Sequence, residues 1–157
     1  MALSCYISLP LIECHMKKRL LLVCFFIGLS SAYVSASERW YNKEQVIQGK
    51  QLFATNCASC HGDSAQATPN WRKRNADGSF QPPPLNGTAH TWHHPMNILQ
   101  YTILKGGAPV GGKMPAFEQK LEMHEINSII AWFQSLWPDE VYDIWNKRHP
   151  GGAYQPE

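Results

Sequence analysis

Cys57-Ala58-Ser59-Cys60-His61 constrains this 157-residue chain more than any other stretch. Two thiols stand two residues apart with an imidazole directly behind them, and few chemistries use that spacing. The remaining cysteines, Cys5, Cys14 and Cys24, all fall in a region that reads as targeting sequence. There Met16, Lys17, Lys18 and Arg19 form a basic start, Leu20 to Leu29 an apolar run, and Val34-Ser35-Ala36 a small-residue cleavage signal before Ser37. The apolar run is too short to span a bilayer, which favours cleavage over anchoring. A signal peptide over 16–36 leaves 1–15 as an upstream segment that fits no export pattern, with Met16 as the true start. A lipid-modified Cys24 is the rival reading, but Val23 before it is larger than the residues such sites carry.

Removal of residues 1–36 leaves Cys57 and Cys60 as the only thiols of an exported chain, which excludes a disulfide framework. Lys and Arg then fall from 14 to 11 and Asp and Glu from 12 to 11, so the formal charge of +2 belongs to the discarded part. A near-neutral remainder argues against nucleic-acid binding by bulk charge.

The rest of the chain patterns as helices and loops. Asn42 is an N-cap with Gln45 three residues on, and Val46, Gly49, Phe53 and Cys57 recur at helical spacing, which predicts an amphipathic helix over about 43–57. From Gly62 to Thr91 the chain is rich in Gly, Pro, Asn, Asp and Ser, with Pro82-Pro83-Pro84 forbidding helix. A loop of that length needs something to wrap around. Pro95 fits the first position of a second helix with Met96, Leu99 and Ile103 on one face and Gly106-Gly107 as its stop. Residues 121–137 carry the strongest pattern, with Ile126, Ile129, Ile130, Phe133 and Trp137 on one stripe, Trp132 and Leu136 widening it, and Pro138 ending it. Val141, Tyr142, Ile144 and Trp145 suggest a short last helix before a frayed tail. No strand-like alternation of useful length occurs, so the expected class is all-α.

The C-x-x-C-H arrangement is the signature of covalent haem attachment. Its spacing brings two sulfurs to the two vinyl-bearing edges of one porphyrin and directs His61 beneath the iron as proximal ligand. A zinc site fails on spacing, because His90 lies thirty positions beyond Cys60. A redox-active thiol pair fails because no βαβ pattern surrounds it. A large flat apolar cofactor also supplies the core that so short and loop-rich a chain lacks.

With these residues in place, the chain over 42–137 resembles the class I c-type cytochromes. The resemblance implies a cytochrome c-like fold in which the N-terminal and C-terminal helices cross around one covalent haem c. Gly49 and Phe53 match the glycine and aromatic that the family carries on the helix before the motif, with Ile129 and Trp132 as the expected partners at the crossing. Gly112-Lys113-Met114-Pro115-Ala116-Phe117 matches the loop that supplies the second axial ligand, which makes Met114 that ligand. Met96 and Met123 fit less well, lying within predicted helices without flanking Gly and Pro. The family's backbone carbonyl that fixes the proximal histidine is matched by Pro83, or by Pro84 beside it. The run Leu85 to Pro95 resembles a subset of bacterial monohaem cytochromes, in which Trp92 would face a haem propionate. A 37–137 cytochrome domain followed by a 138–157 helix and tail is the resulting organisation.

The expected function is electron transfer by a His/Met-ligated haem in the periplasm, without catalysis, between partners such as a periplasmic dehydrogenase and a terminal oxidase of the respiratory chain. Two alternatives stand beside it. One is a haem peroxidase or gas sensor with an open sixth site; the other is a small haem subunit of a larger, membrane-associated complex, held through Trp137, Tyr142 and Trp145. His90, His93 and His94 raise the question of a second metal, against a default of solvated loop histidines. Arg72-Lys73-Arg74 and the Glu118, Glu122, Glu125 group are solvated by default, or form a charge dipole that orients docking.

Overall fold

A computed structural model of the protein describes residues 38–150. The expected upstream segment, the expected signal peptide with its cleavage site, and the last seven residues lie outside the described residues. Five α-helices appear among the described residues: α1 (Lys43–Asn56), α2 (Ala58–His61), α3 (Met96–Lys105), α4 (Met123–Ser135) and α5 (Asp139–Arg148). Single 3-10 turns precede and follow α3, at His90–His93 and Ala108–Val110. Among the described residues the one piece of β pairing is an isolated parallel bridge between Phe80 and Gly112. The all-α class holds.

Helix α1 starts where its cap chemistry places it. Asn42 Oδ1 accepts from the Gln45 amide and Gln45 Oε1 accepts from the Asn42 amide, each at 2.9 Å, which satisfies two donors that a helix start leaves unpaired. The helix ends at Asn56 rather than continuing through the first cysteine. Cys57 leaves helical geometry at φ −124° and then caps the single turn of α2. That break re-aims the motif, and His61 is thereby turned into the interior.

The core lies between α1 and α4. Gly49 is buried on α1, and a Cβ built there would fall 1.8 Å from the Ser128 carbonyl oxygen and 2.9 Å from Trp132 Cβ. Only a residue without a side chain permits that approach. The nearest partners at the crossing are Trp132, as expected, and the Ser128 carbonyl, which lies on the α4 face toward α1. One turn further along α1, Phe53 packs its ring 4.3 Å from that of Trp132. Ile126, Ile129, Ile130 and Phe133 are buried as the helical stripe predicts.

Helix α4 is shorter than its pattern. It begins at Met123, where the Glu125 carboxylate accepts from the Glu122 amide, and ends as Trp137 closes a tight turn onto the Gln134 carbonyl before Pro138. Leu136 sits on the solvent side of that turn, 37% exposed, and does not widen the apolar stripe. Pro95 caps α3 from outside instead of occupying its first position, while Met96, Leu99 and Ile103 face inward and Gly106 stops the helix at φ +80°. Helix α5 is a full ten residues. Tyr142 and Trp145 are buried in the same core as Phe53, and an N-terminal segment clasps the helix from outside. There the Arg39 guanidinium lies 3.9 Å from the Tyr142 ring centroid and pairs with Asp139, and Tyr142 Oη accepts from the Trp40 amide.

Gly49→Ala should cost at least about 1–3 kcal/mol, since the added carbon meets backbone that cannot step aside. Denaturant unfolding of the haem-loaded protein checks this, with the exposed neighbour Lys50→Ala expected to stay within about 0.5 kcal/mol of wild type.

Candidate haem site

The turn Ala58–His61 sets the site. Amides of Cys60 and His61 both donate to the Cys57 carbonyl, at 3.1 and 2.9 Å, so one helical turn carries both sulfurs and the imidazole. No disulfide joins the two cysteines, of which Cys57 is half-buried and Cys60 exposed. Burial, and then the neighbouring Cys60, push the Cys57 thiol up to about 11.

His61 is buried at 7% exposure, and its Nδ1 lies 2.9 Å from the Pro83 carbonyl oxygen. A carbonyl can only accept, so Nδ1 carries the proton and Nε2 keeps its lone pair. Burial lowers the imidazole pKa, and the Pro83 bond opposes that shift. A neutral ring with a fixed tautomer and one available nitrogen is what an iron ligand requires.

The segment that presents Pro83 is fastened residue by residue. The buried Thr91 hydroxyl donates to the Pro84 carbonyl at 3.0 Å. Leu85 donates its amide to Ala65 at 2.7 Å and accepts from Trp137 Nε1, also at 2.7 Å. Ala65 and Ala67 both adopt left-handed backbone, at φ +54° and +60°, a conformation non-glycine residues seldom take. That geometry folds the chain back after His61: the Ala67 amide reaches the His61 carbonyl at 2.7 Å, and Ala65, fully buried, meets Leu85. Sequence reasoning missed Thr91 and these two alanines, and no residue type signalled them.

Met114 is half-buried against the core. Its loop is stapled to the end of α3, with the Gly107 amide donating to the Met114 carbonyl and the Gly112 amide to the Gly107 carbonyl, each at 2.9 Å. A Cβ on Gly106 would lie 2.6 Å from the Met114 carbonyl oxygen, so the glycine that stops α3 also admits the methionine loop. Met96 is buried within α3 and Met123 opens α4, partly exposed. Trp92 is half-buried, edge-on to His93 at 3.9 Å between centroids, with the Arg148 guanidinium 5.4 Å from its ring centroid.

Other sequence signals resolve differently. His90 stacks on Trp71, His93 turns to Trp92, and His94 meets His90 edge-on at 5.5 Å. Among the described residues no group of three or more His, Cys, Asp or Glu converges to hold a metal ion. The acidic side of a charge dipole is engaged elsewhere: Glu118 pairs with Lys105, and Glu125 caps α4. Trp137, Tyr142 and Trp145 are at most 3% exposed, so the apolar contact suggested for a larger complex is instead packed into the protein's own core.

Replacing Thr91 by Val keeps the shape but strands the buried Pro84 carbonyl, at a cost of about 1–3 kcal/mol. Unfolding of the haem-loaded protein checks this, and Thr88→Val, whose hydroxyl is exposed and bonds only Asn86, should change stability by less than about 0.5 kcal/mol.

Comparison with known proteins identifies the fold that surrounds this geometry. A family model described as Cytochrome c matches residues 46–137, well over half of the chain. The chain is 32% identical over 92 residues to the cbb3-type cytochrome c oxidase subunit CcoP of Azospirillum sp. (strain B510), a stretch covering 59% of this chain and 29% of that protein. It is 27% identical over 130 residues to cytochrome c-L of Methylorubrum extorquens, covering 79% of this chain and 58% of the relative. The chain thus spans less than two thirds of the length of either relative. A solved structure, cytochrome CL of the marine methylotroph Methylophaga aminisulfidivorans, aligns with a TM-score of 0.49 and 22% identity over 80% of this chain and 89% of that one. The family match runs from α1 through the cysteine turn, the proline-rich segment and the Met114 loop to the end of α4. The chain belongs to the cytochrome c family and binds haem c covalently.

Proposed function

We propose that this protein is a one-electron carrier in the periplasm, with Cys57 and Cys60 joined to haem as thioethers and His61 and Met114 as the axial ligands of its iron. The observation that carries the reading is the buried His61 ring, its Nδ1 committed to the Pro83 carbonyl at 2.9 Å and its Nε2 left to ligate. The donor set fits the group: two unpaired sulfurs and an imidazole on one turn, with a half-buried thioether on a separately stapled loop. Haem iron supplies a reversible one-electron change between ferric and ferrous states, with no bond made or broken in the carrier.

The chain's own residues set how that change proceeds. Pro83 holds the His61 ring and strengthens its donor character through the shared proton. Met114 would offer the iron a soft, neutral thioether, which would favour the ferrous state, raise the potential and keep exogenous ligands out. Trp92, half-buried beside Arg148, is placed in this reading toward a propionate. The basic run, apolar run and cleavage signal over 16–36 support export, with the exported chain beginning near Ser37. Similarity to an oxidase subunit supports a terminal oxidase as electron acceptor, with a periplasmic dehydrogenase as donor.

Met114→Ala in the haem-loaded protein should abolish the weak methionine–iron charge-transfer band of the ferric spectrum, lower the midpoint potential and let the ferrous form bind carbon monoxide. Wild type that already binds carbon monoxide readily, with no such band, would favour a peroxidase or gas sensor and overturn the carrier reading. Replacing Cys57 and Cys60 together by Ala should let acid acetone extract the pigment completely, where wild type retains it.

A further inference from the structure

Between the cysteine turn and the prolines, the chain knits a tight turn over 74–80. The Asn75 amide donates to the Ser79 carbonyl and the Gly78 amide to the Asn75 carbonyl, each at 2.9 Å. The Asp77 carboxylate accepts from the Ser79 hydroxyl at 2.6 Å and from the Ser79 amide at 3.1 Å, and the same hydroxyl accepts from Asn75 Nδ2 at 2.9 Å. The Arg74 guanidinium donates to the Gly78 carbonyl at 2.7 Å and lies 3.8 Å from the Phe80 ring centroid. No residue of 74–80 is buried, so this bonding shapes a piece of surface and adds nothing to the core.

That surface meets the Met114 loop at three consecutive residues. The Phe80 amide donates to the Gly111 carbonyl at 2.9 Å, Phe80 forms the isolated bridge with Gly112, and the Asp77 carboxylate pairs with Lys113, directly before Met114. A Cβ on Gly111, at φ +80°, would lie 3.6 Å from the Phe80 ring, so the ring rests against the loop in ordinary contact. Phe80 in turn stands three residues before Pro83, whose carbonyl orients His61. The turn thus joins the segment that fixes the imidazole to the loop that carries the thioether.

We propose that Asp77 and Phe80 are positioning residues for Met114: the 74–80 turn is a strap that holds the Met114 loop to the His61-orienting segment and keeps the thioether on the iron. The proposal rests on the His/Met reading and names what confines the sixth ligand. A neutral thioether gains no charge attraction from iron, so its retention depends on how tightly its loop is held. Asp77 and Phe80 act through Lys113, Gly111 and Gly112. The Asp77–Lys113 pair is exposed on both sides, which makes its pull modest and sensitive to salt.

The test uses haem-loaded ferric protein with imidazole as a competitor for the sixth position, followed by loss of the methionine–iron charge-transfer band. Asp77→Asn, which keeps an oxygen for Ser79 but loses the charge, should tighten imidazole binding by about threefold, and Asp77→Asn with Phe80→Ala by about tenfold. Asp77→Glu should return binding to within about twofold of wild type, and Glu44→Gln, which removes an exposed carboxylate from α1, should not move it. Raising the salt should tighten imidazole binding to wild type and leave Asp77→Asn unmoved. Imidazole binding in the double variant no tighter than in wild type, or an equal gain in Glu44→Gln, would overturn the proposal. If the double variant does not fold, Asp77→Asn and the salt series decide alone, and no change in either overturns it. A wild-type spectrum that carries the band, with imidazole bound no better by the strap variants, sinks the strap alone; a wild type without the band, left unaltered by Met114→Ala, sinks the His/Met reading itself.

Discussion

The close contact of two helix backbones at Gly49 is the constraint on which the rest of this structure depends. A Cβ there would stand inside the Ser128 carbonyl, so α1 can lie against α4 only because position 49 carries none. That crossing fixes the direction of α1, and with it the place where α1 delivers the cysteine turn. Phe53, one turn beyond Gly49, then stands between Trp132 of α4 and the ring of His61, at 4.3 and 6.5 Å between centroids. Packing of the two helices and orientation of the ligand are one arrangement.

From His61 outward the site is held by a series of single hydrogen bonds to backbone carbonyls. His61 bonds Pro83, Thr91 bonds Pro84, Trp137 bonds Leu85, and Trp145 bonds His94. The proline-rich segment has few amides with which to pair in regular structure, so its carbonyls are free to accept from side chains. Two of the donors are tryptophans, buried rings each carrying one N–H that must find a partner. Helix α5 is thus tied to the ligand-bearing part of the molecule instead of trailing from it, and its buried Tyr142 and Trp145 complete the same core. The Met114 loop has a different anchorage, on the glycines that end α3. His61 and Met114 therefore rest on separate elements, each pinned by short-range backbone contacts.

Much of this was legible in the residues. The motif spacing, the Asn42–Gln45 cap, the apolar stripe of α4 and the Gly-flanked Met114 are local patterns, and local patterns are readable because the interactions that create them join near neighbours. Element ends were read less well. Pro95 lies one residue outside α3, and α4 stops before Leu136, where the Leu136 and Trp137 amides close a tight turn onto Phe133 and Gln134 ahead of Pro138. Ala65 and Ala67 were invisible, since alanine carries no mark of left-handed backbone and only the surrounding contacts hold it there.

The sequence by itself determined which groups stand at set spacings: two sulfurs, the imidazole that follows them and, in a later loop, a thioether. It also determined the helical class, through periodicity and the prolines and glycines that interrupt it. Tertiary structure alone decided which helix residues meet at Gly49, that His90 lies between Trp71 and His94 while His93 turns to Trp92, and that the tryptophans after residue 136 face inward. Those outcomes depend on contacts between segments tens of residues apart, and a contact of that kind is a property of the folded chain's geometry that no single stretch encodes.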